Sequence, residues 1–206
     1  MTYYGFGNLR RETQDILIAV LVLGIAFAIA GFSDNRFHET LLGALLTVVV
    51  SLFAVAIAFL GHELSHRKVA RDYGGWAEFR LWPLGILLAL ITSFFGVILA
   101  APGAVNIAGV YGNERIGKTA LAGPGFNLIA GFAFLILSAV GIFFSALGSI
   151  FLEISYLNFY LGAFNMIPFG PLDGAKVMRW DFRIFVLVFA VLIFMTVFVG
   201  IVFLGL

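Results

Sequence analysis

Long apolar runs alternate with short polar joints along the chain. Six runs stand out, at residues 15–32, 41–65, 84–101, 119–147, 150–167 and 182–206. A bilayer core of about 30 Å is crossed by roughly 17–25 apolar residues in helical form. Within hydrocarbon a segment must satisfy its own backbone hydrogen bonds, which favours helices over isolated strands. The pattern therefore predicts an all-α polytopic membrane protein with five to six transmembrane helices. The first run follows Arg10 and Arg11 and ends in Ala28-Ile29-Ala30-Gly31. A cleaved signal peptide ends in small residues too, but the run is read as the first transmembrane helix.

Composition strengthens the membrane reading. Hydrophobic residues make up 62% of the 206, charged residues 11%, and the mean hydropathy is +1.09. Soluble domains carry about 25% charged residues. Residues 1–206 are expected to form a single transmembrane domain. With no cysteine in the chain, a disulfide framework is excluded and any metal must be held by histidine, carboxylate or carbonyl. A net charge of +1 gives no reason to expect a nucleic-acid partner. Lys and Arg favour cytoplasmic loops. They cluster at Arg10 and Arg11, at Arg67, Lys68 and Arg71, at Arg115 and Lys118, and at Lys176, Arg179 and Arg183. The joints at 33–40 and 147–149 hold Arg36 alone. The N-terminus is accordingly placed on the cytoplasmic side of the cell membrane, with the end of the second run returning to that side.

That second run ends in His62-Glu63-Leu64-Ser65-His66. Ionisable groups inside an apolar span are costly and point to function. On a helix, residues i and i+4 share a face, so His62 and His66 can offer imidazole nitrogens to one metal ion with Glu63 at its flank. A third protein ligand is missing from this motif. The fifth run closes with Asn165-Met166-Ile167-Pro168-Phe169-Gly170-Pro171-Leu172-Asp173-Gly174, where two prolines and two glycines rule out ordinary helix. Asp173 then falls beside Lys176 and Arg179, at a depth similar to that of His62 and His66. This bears on the run at 84–101, which lies between Pro83 and Pro102 with basic clusters on both sides. A single crossing there would leave Asp173 about 30 Å from His66. Residues 84–112 are therefore expected to form a re-entrant or interfacial element. A helical dip from Leu84 to Ala101 would be followed by a short hairpin over Gly103–Gly112, whose glycine and β-branched content suits strands.

The two motifs together resemble the site-2 protease family of intramembrane zinc metalloproteases, which pairs HExxH in one transmembrane helix with an NxxPxxxLDG-like segment in a later one. Ala122-Gly123-Pro124-Gly125-Phe126-Asn127 is a third family-like element. The resemblance covers about residues 41–180. It implies one zinc ion per chain held by His62, His66 and Asp173, with the fourth position open to water. Glu63 would be the general base, and the Asn165 amide would help stabilise the tetrahedral oxyanion. The substrate would be a transmembrane segment of another protein in the lipid bilayer, cut near the cytoplasmic face as in regulated intramembrane proteolysis. Such a helix must unwind first, and an extended substrate strand could add to the expected hairpin edge. The oligomeric state is left open. The alternative is a zinc-binding or metal-transporting membrane protein without proteolysis, which has little need of a base at Glu63. His38 reads as a solvated loop residue and Glu153 as facing the interface. Asn127 and Asn158 read first as helix-packing partners.

Overall fold

A computed structural model of the chain describes residues 9–32, 41–98, 102–140 and 145–205. The joint that carries His38, and the expected end of the helical dip at residues 99–101, lie outside the described residues. Among the described residues, eight α-helices and two strands follow in the order α1 (Leu9–Phe32), α2 (Leu41–Val55), α3 (Gly61–Asp72), β1 (Trp76–Leu81), α4 (Pro83–Ser93), β2 (Gly103–Ala108), α5 (Asn113–Val140), α6 (Ser145–Asn165), α7 (Asp173–Trp180) and α8 (Phe182–Val199). A π-helical turn, Ala56–Leu60, joins α2 to α3. Among the described residues, five helical segments are long and apolar enough to cross a membrane: Arg10–Ala30, Leu41–Asp72, Asn113–Val140, Leu147–Asn165 and Phe182–Val202. The fold is the expected all-α polytopic one, with the five-span count.

The chain divides into two compact units. The first comprises residues 1–56 and 77–108. Here α1 packs against α2 and α4, with Ala19, Leu23 and Ala26 of α1 fully buried. Gly24 lets α2 approach closely, because a Cβ there would collide with the Leu52 side chain. Leu41, Leu42, Leu45, Val49 and Phe53 of α2 are exposed, a surface that suits lipid and would be a liability in water. Polar contacts tie α1 to β1. The buried Glu12 carboxylate accepts from the Phe79 N–H at 3.0 Å, and Arg80 reaches Asp15 at 3.5 Å and pairs with Glu78.

Two expectations for residues 84–112 are corrected. The helix after Pro83 stops at Ser93, and 11 residues rise only about 16 Å, half a bilayer core. Residues 103–112 do not fold back on themselves as a hairpin. They supply one strand, β2, and its partner is β1, upstream of α4. The Trp82 N–H donates to the Pro102 carbonyl at 2.7 Å, and Gly103 abuts Arg80 and Phe79. At the other end of the pairing Gly109 lies against Gly75, so the strands run antiparallel. Glu78 and Arg80 made β1 look like a polar joint, and pairing across an intervening helix leaves no local signature.

The second unit comprises residues 57–76 and 109–206. Its centre is α5, which packs on α3, α6 and α7, while α8 covers α6 and α7. Phe159, Met166, Val177, Leu192 and Val199 form the buried core. The Phe159 ring lies against Gly131, where a Cβ would fall 2.5 Å from it, and the Ser155 hydroxyl donates to the Gly131 carbonyl at 2.8 Å. The helix α3 ends where Gly74 adopts φ +78 and Gly75 N–H donates back to the Ala70 carbonyl, a left-handed cap that only glycine adopts without strain.

Candidate metal centre

His62 and His66 lie one turn apart on the face of α3 that meets α5, and both are buried. Their rings meet edge to face with centroids 4.6 Å apart, which brings the two Nε2 atoms within 2.9 Å. The third group comes from a different part of the unit. After α6 the chain passes through Pro168, Gly170 and Pro171 without helical structure, and Gly170 takes φ +59. Asp173 is the first residue of α7. Its Oδ2 reaches Nε2 of His66 at 2.9 Å and Nε2 of His62 at 3.3 Å. Among the described residues, His62, His66 and Asp173 are thus a buried group able to hold a metal ion, with ligand atoms within 4.8 Å of one another.

The separations fit a small tetrahedral ion. With metal–ligand bonds of about 2.0–2.1 Å, tetrahedral ligand atoms stand roughly 3.3 Å apart, close to the 2.9–3.3 Å seen here. Gly123 of α5 closes one side of the group. A Cβ there would fall 2.6 Å from Nε2 of His62 and nearer still to Nε2 of His66, so the helix backbone itself forms that wall.

The outer nitrogens of both rings are also engaged. Nδ1 of His66 donates to the Thr119 carbonyl at 2.7 Å, one turn ahead of Pro124 within α5. Nδ1 of His62 lies 2.6 Å from Oδ1 of Asn127. A donor on one nitrogen leaves the other free to ligate. On the aspartate side, Lys176 Nζ holds Oδ1 at 3.2 Å, leaving Oδ2 for the imidazoles. Burial alone would push the Asp173 carboxyl up. With the two rings protonated, the His66 charge, hydrogen bonds from Nε2–H of His62 and His66, and the His62 charge outweigh burial and hold it well below the usual carboxylate range.

Glu63 is half-buried in the first turn of α3, beside His62. Asn165 is the last residue of α6, and its Nδ2 donates to the Leu161 carbonyl of its own helix at 3.0 Å. The structure therefore brings His62, His66 and Asp173 together, keeps Glu63 on the same turn, and turns the Asn165 amide along α6. Gly123, Asn127 and Thr119 are the site-forming groups that motif reading undervalued. The signal for Gly123 and Asn127 was the Ala122–Asn127 segment, read mainly as packing, whereas Thr119 acts through its backbone carbonyl and carried none.

Among known proteins, the chain is 40% identical over 174 residues to "Putative zinc metalloprotease MJ0611" of Methanocaldococcus jannaschii, an alignment covering 84% of this chain and 85% of that protein. It is 31% identical over 168 residues to "Zinc metalloprotease MJ0392" of the same organism, covering 80% of this chain but only 39% of that longer protein. No protein-family model matches the sequence, and no solved structure matches it.

Proposed function

The chain belongs to the zinc metalloprotease family, and we propose that it is an intramembrane endopeptidase of the site-2 protease type. It cleaves transmembrane segments of substrate proteins near the cytoplasmic face. The observation that carries this reading is the meeting of His62, His66 and Asp173 within a polytopic helical unit, with Glu63 one residue from a ligand.

Nε2 of His62, Nε2 of His66 and Oδ2 of Asp173 would hold the zinc ion, three protein ligands being the usual number in a catalytic zinc site. Bound there, zinc supplies a Lewis acid that lowers the pKa of water towards 7 and polarises the scissile carbonyl. Glu63 takes the proton of the attacking water and passes it to the leaving amine, a general acid–base role. Asn165 donates from Nδ2 to the oxyanion as it develops, which requires it to exchange the Leu161 carbonyl for substrate. Lys176 keeps Asp173 turned with one oxygen to the metal. Arg67 and Lys68 follow His66 directly, and Lys176 and Arg179 follow Asp173. Their charge supports a cytoplasmic placement of the site and of the N-terminus in the cell membrane. The apolar outer faces support a bilayer setting, and a peptide bond in that setting is reached only when the substrate helix locally unwinds.

The test pairs metal analysis with cleavage of a model transmembrane substrate carrying helix-breaking residues, on wild type and Glu63→Gln in parallel. A single zinc per chain is expected in both, with cleavage reduced by about 10²–10⁴ in the variant. Zinc in the wild type without cleavage of any of several such substrates would replace this reading with metal binding or transport.

A further inference from the structure

We infer that Asn127 is a positioning residue that keeps the proton of His62 on Nδ1, and that a directional amide relay through Asn158 holds it in that role. The inference rests on the reading of His62 as a metal ligand. Asn127 and Asn158 are fully buried, and donor–acceptor chemistry settles the direction of the hydrogen bonds that join their side chains to His62, Ala58 and Ile154. Nδ2 of Asn158 donates to the Ile154 carbonyl at 2.8 Å. A carbonyl only accepts, so the amide nitrogen must sit there and Oδ1 must face away. That Oδ1 accepts from Nδ2 of Asn127 at 3.1 Å. The same Nδ2 donates to the Ala58 carbonyl at 2.9 Å, a second acceptor that fixes the Asn127 amide independently. Oδ1 of Asn127 is then the atom 2.6 Å from Nδ1 of His62. An amide oxygen accepts only, so Nδ1 carries the proton and, in the neutral ring, Nε2 carries the lone pair.

The two imidazoles reach the same state by different routes. His66 is fixed by a backbone carbonyl, Thr119, which no side-chain substitution removes. His62 depends on a side chain. Its anchor at Ala58 belongs to the π-helical turn just before α3, a wider turn of the kind often found at functional sites. A flipped Asn127 amide would place Nδ2 against Nδ1–H and Oδ1 against both Ala58 O and Asn158 Oδ1, three repulsive contacts in a site without solvent access. The relay therefore selects one imidazole tautomer before any metal arrives. Losing such an outer partner typically weakens metal binding about 10- to 100-fold.

The chain has three histidines, so ring nitrogens can be resolved by nitrogen NMR on ¹⁵N-histidine-labelled, metal-free full-length protein in lipid nanodiscs. The spectra are taken at pH about 9, above the ordinary imidazole range. Signals are assigned with His38→Gln and His66→Gln, and zinc affinity is measured by chelator competition. In wild type His62 is expected as the Nδ1–H tautomer. Asn127→Leu, close in size but without an acceptor, should lose that signature and bind zinc about 10- to 100-fold more weakly, with the His66 signal unchanged. A wild-type His62 with its proton on Nε2 would overturn the inference without any variant. So would a leucine variant that binds zinc like wild type, or one that keeps the Nδ1–H signature of His62. Neither readout involves proteolysis, so a protein with this tautomer and tight zinc but no cleavage would sink the protease reading and leave this one standing.

Discussion

The backbone of Gly123 lies directly against Nε2 of His66, closer than any side chain would permit. Nε2 of His62 is 2.6 Å from the same hypothetical Cβ. Histidine ring ends can usually move aside, but these two are anchored at their far nitrogens by Thr119 and Asn127. Gly123→Ala should therefore displace ligand atoms and not merely tighten packing. We expect zinc affinity to fall by about 10- to 100-fold, with helical content retained. Gly125→Ala is the internal control, because a Cβ there meets nothing within 4 Å. It should bind zinc as wild type does and be slightly more stable, by about 0.5–1 kcal/mol. Equal zinc affinity in both variants would refute the wall assigned to Gly123.

Gly174 is constrained in a different way. A Cβ there would run into the Met166 carbonyl group and lie 2.9 Å from the Ile167 carbonyl oxygen. These are backbone atoms, and Met166 is itself fully buried, so the obstacle cannot rotate away. Gly174→Ala should push α7 off the end of α6 and carry Asp173 with it. The purified variant is expected to retain less than about a tenth of the wild-type zinc affinity, in line with the loss of ligand placement. Gly170→Ala probes the same segment through conformation alone. Its φ of +59 costs a side-chain-bearing residue about 1–2 kcal/mol, but nothing lies within 4 Å of the added carbon. Stability should drop while zinc remains. If Gly170→Ala lost zinc and Gly174→Ala kept it, the account of this segment would be reversed.

How much of this was legible in the sequence depends on the kind of signal. His62 and His66 were legible because the helical period is local: two residues four apart on one helix share a face whatever the rest of the chain does. Asp173 was legible because Pro168, Gly170 and Pro171 announce a broken helix. The apolar runs gave the spans within a few residues, although α3 continues to Asp72 and α5 begins at Asn113, where charged residues ended the apolar pattern but not the helix. The strand β1 was not legible, since its partner lies beyond α4 and pairing is non-local. The roles of Thr119 and Ala58 were invisible for another reason: they act through carbonyls, which every residue has. Asn127 stood in a quoted motif, but a buried asparagine has many partners to choose from until the fold supplies them.

Metal binding should follow the imidazoles and not the aspartate as pH falls. The contacts from His66 and His62 outweigh burial and hold the Asp173 carboxyl below its ordinary value, so it stays ionised throughout the range in which histidines titrate. The sign is that of a depressed carboxylate: its contribution to stability is present above the unfolded value of about 3.9 and is lost only as pH falls through the lower folded value. Each imidazole must offer an unprotonated Nε2 to bind, so protons compete with zinc at both rings. Zinc affinity should therefore be flat at alkaline pH and then fall with a slope approaching two protons per metal, about 100-fold per pH unit. Zinc competition measured from pH 9 to pH 4 checks this. A single-proton slope centred near pH 4 would instead place the limiting proton on Asp173 and contradict the charge balance derived from its two histidine contacts.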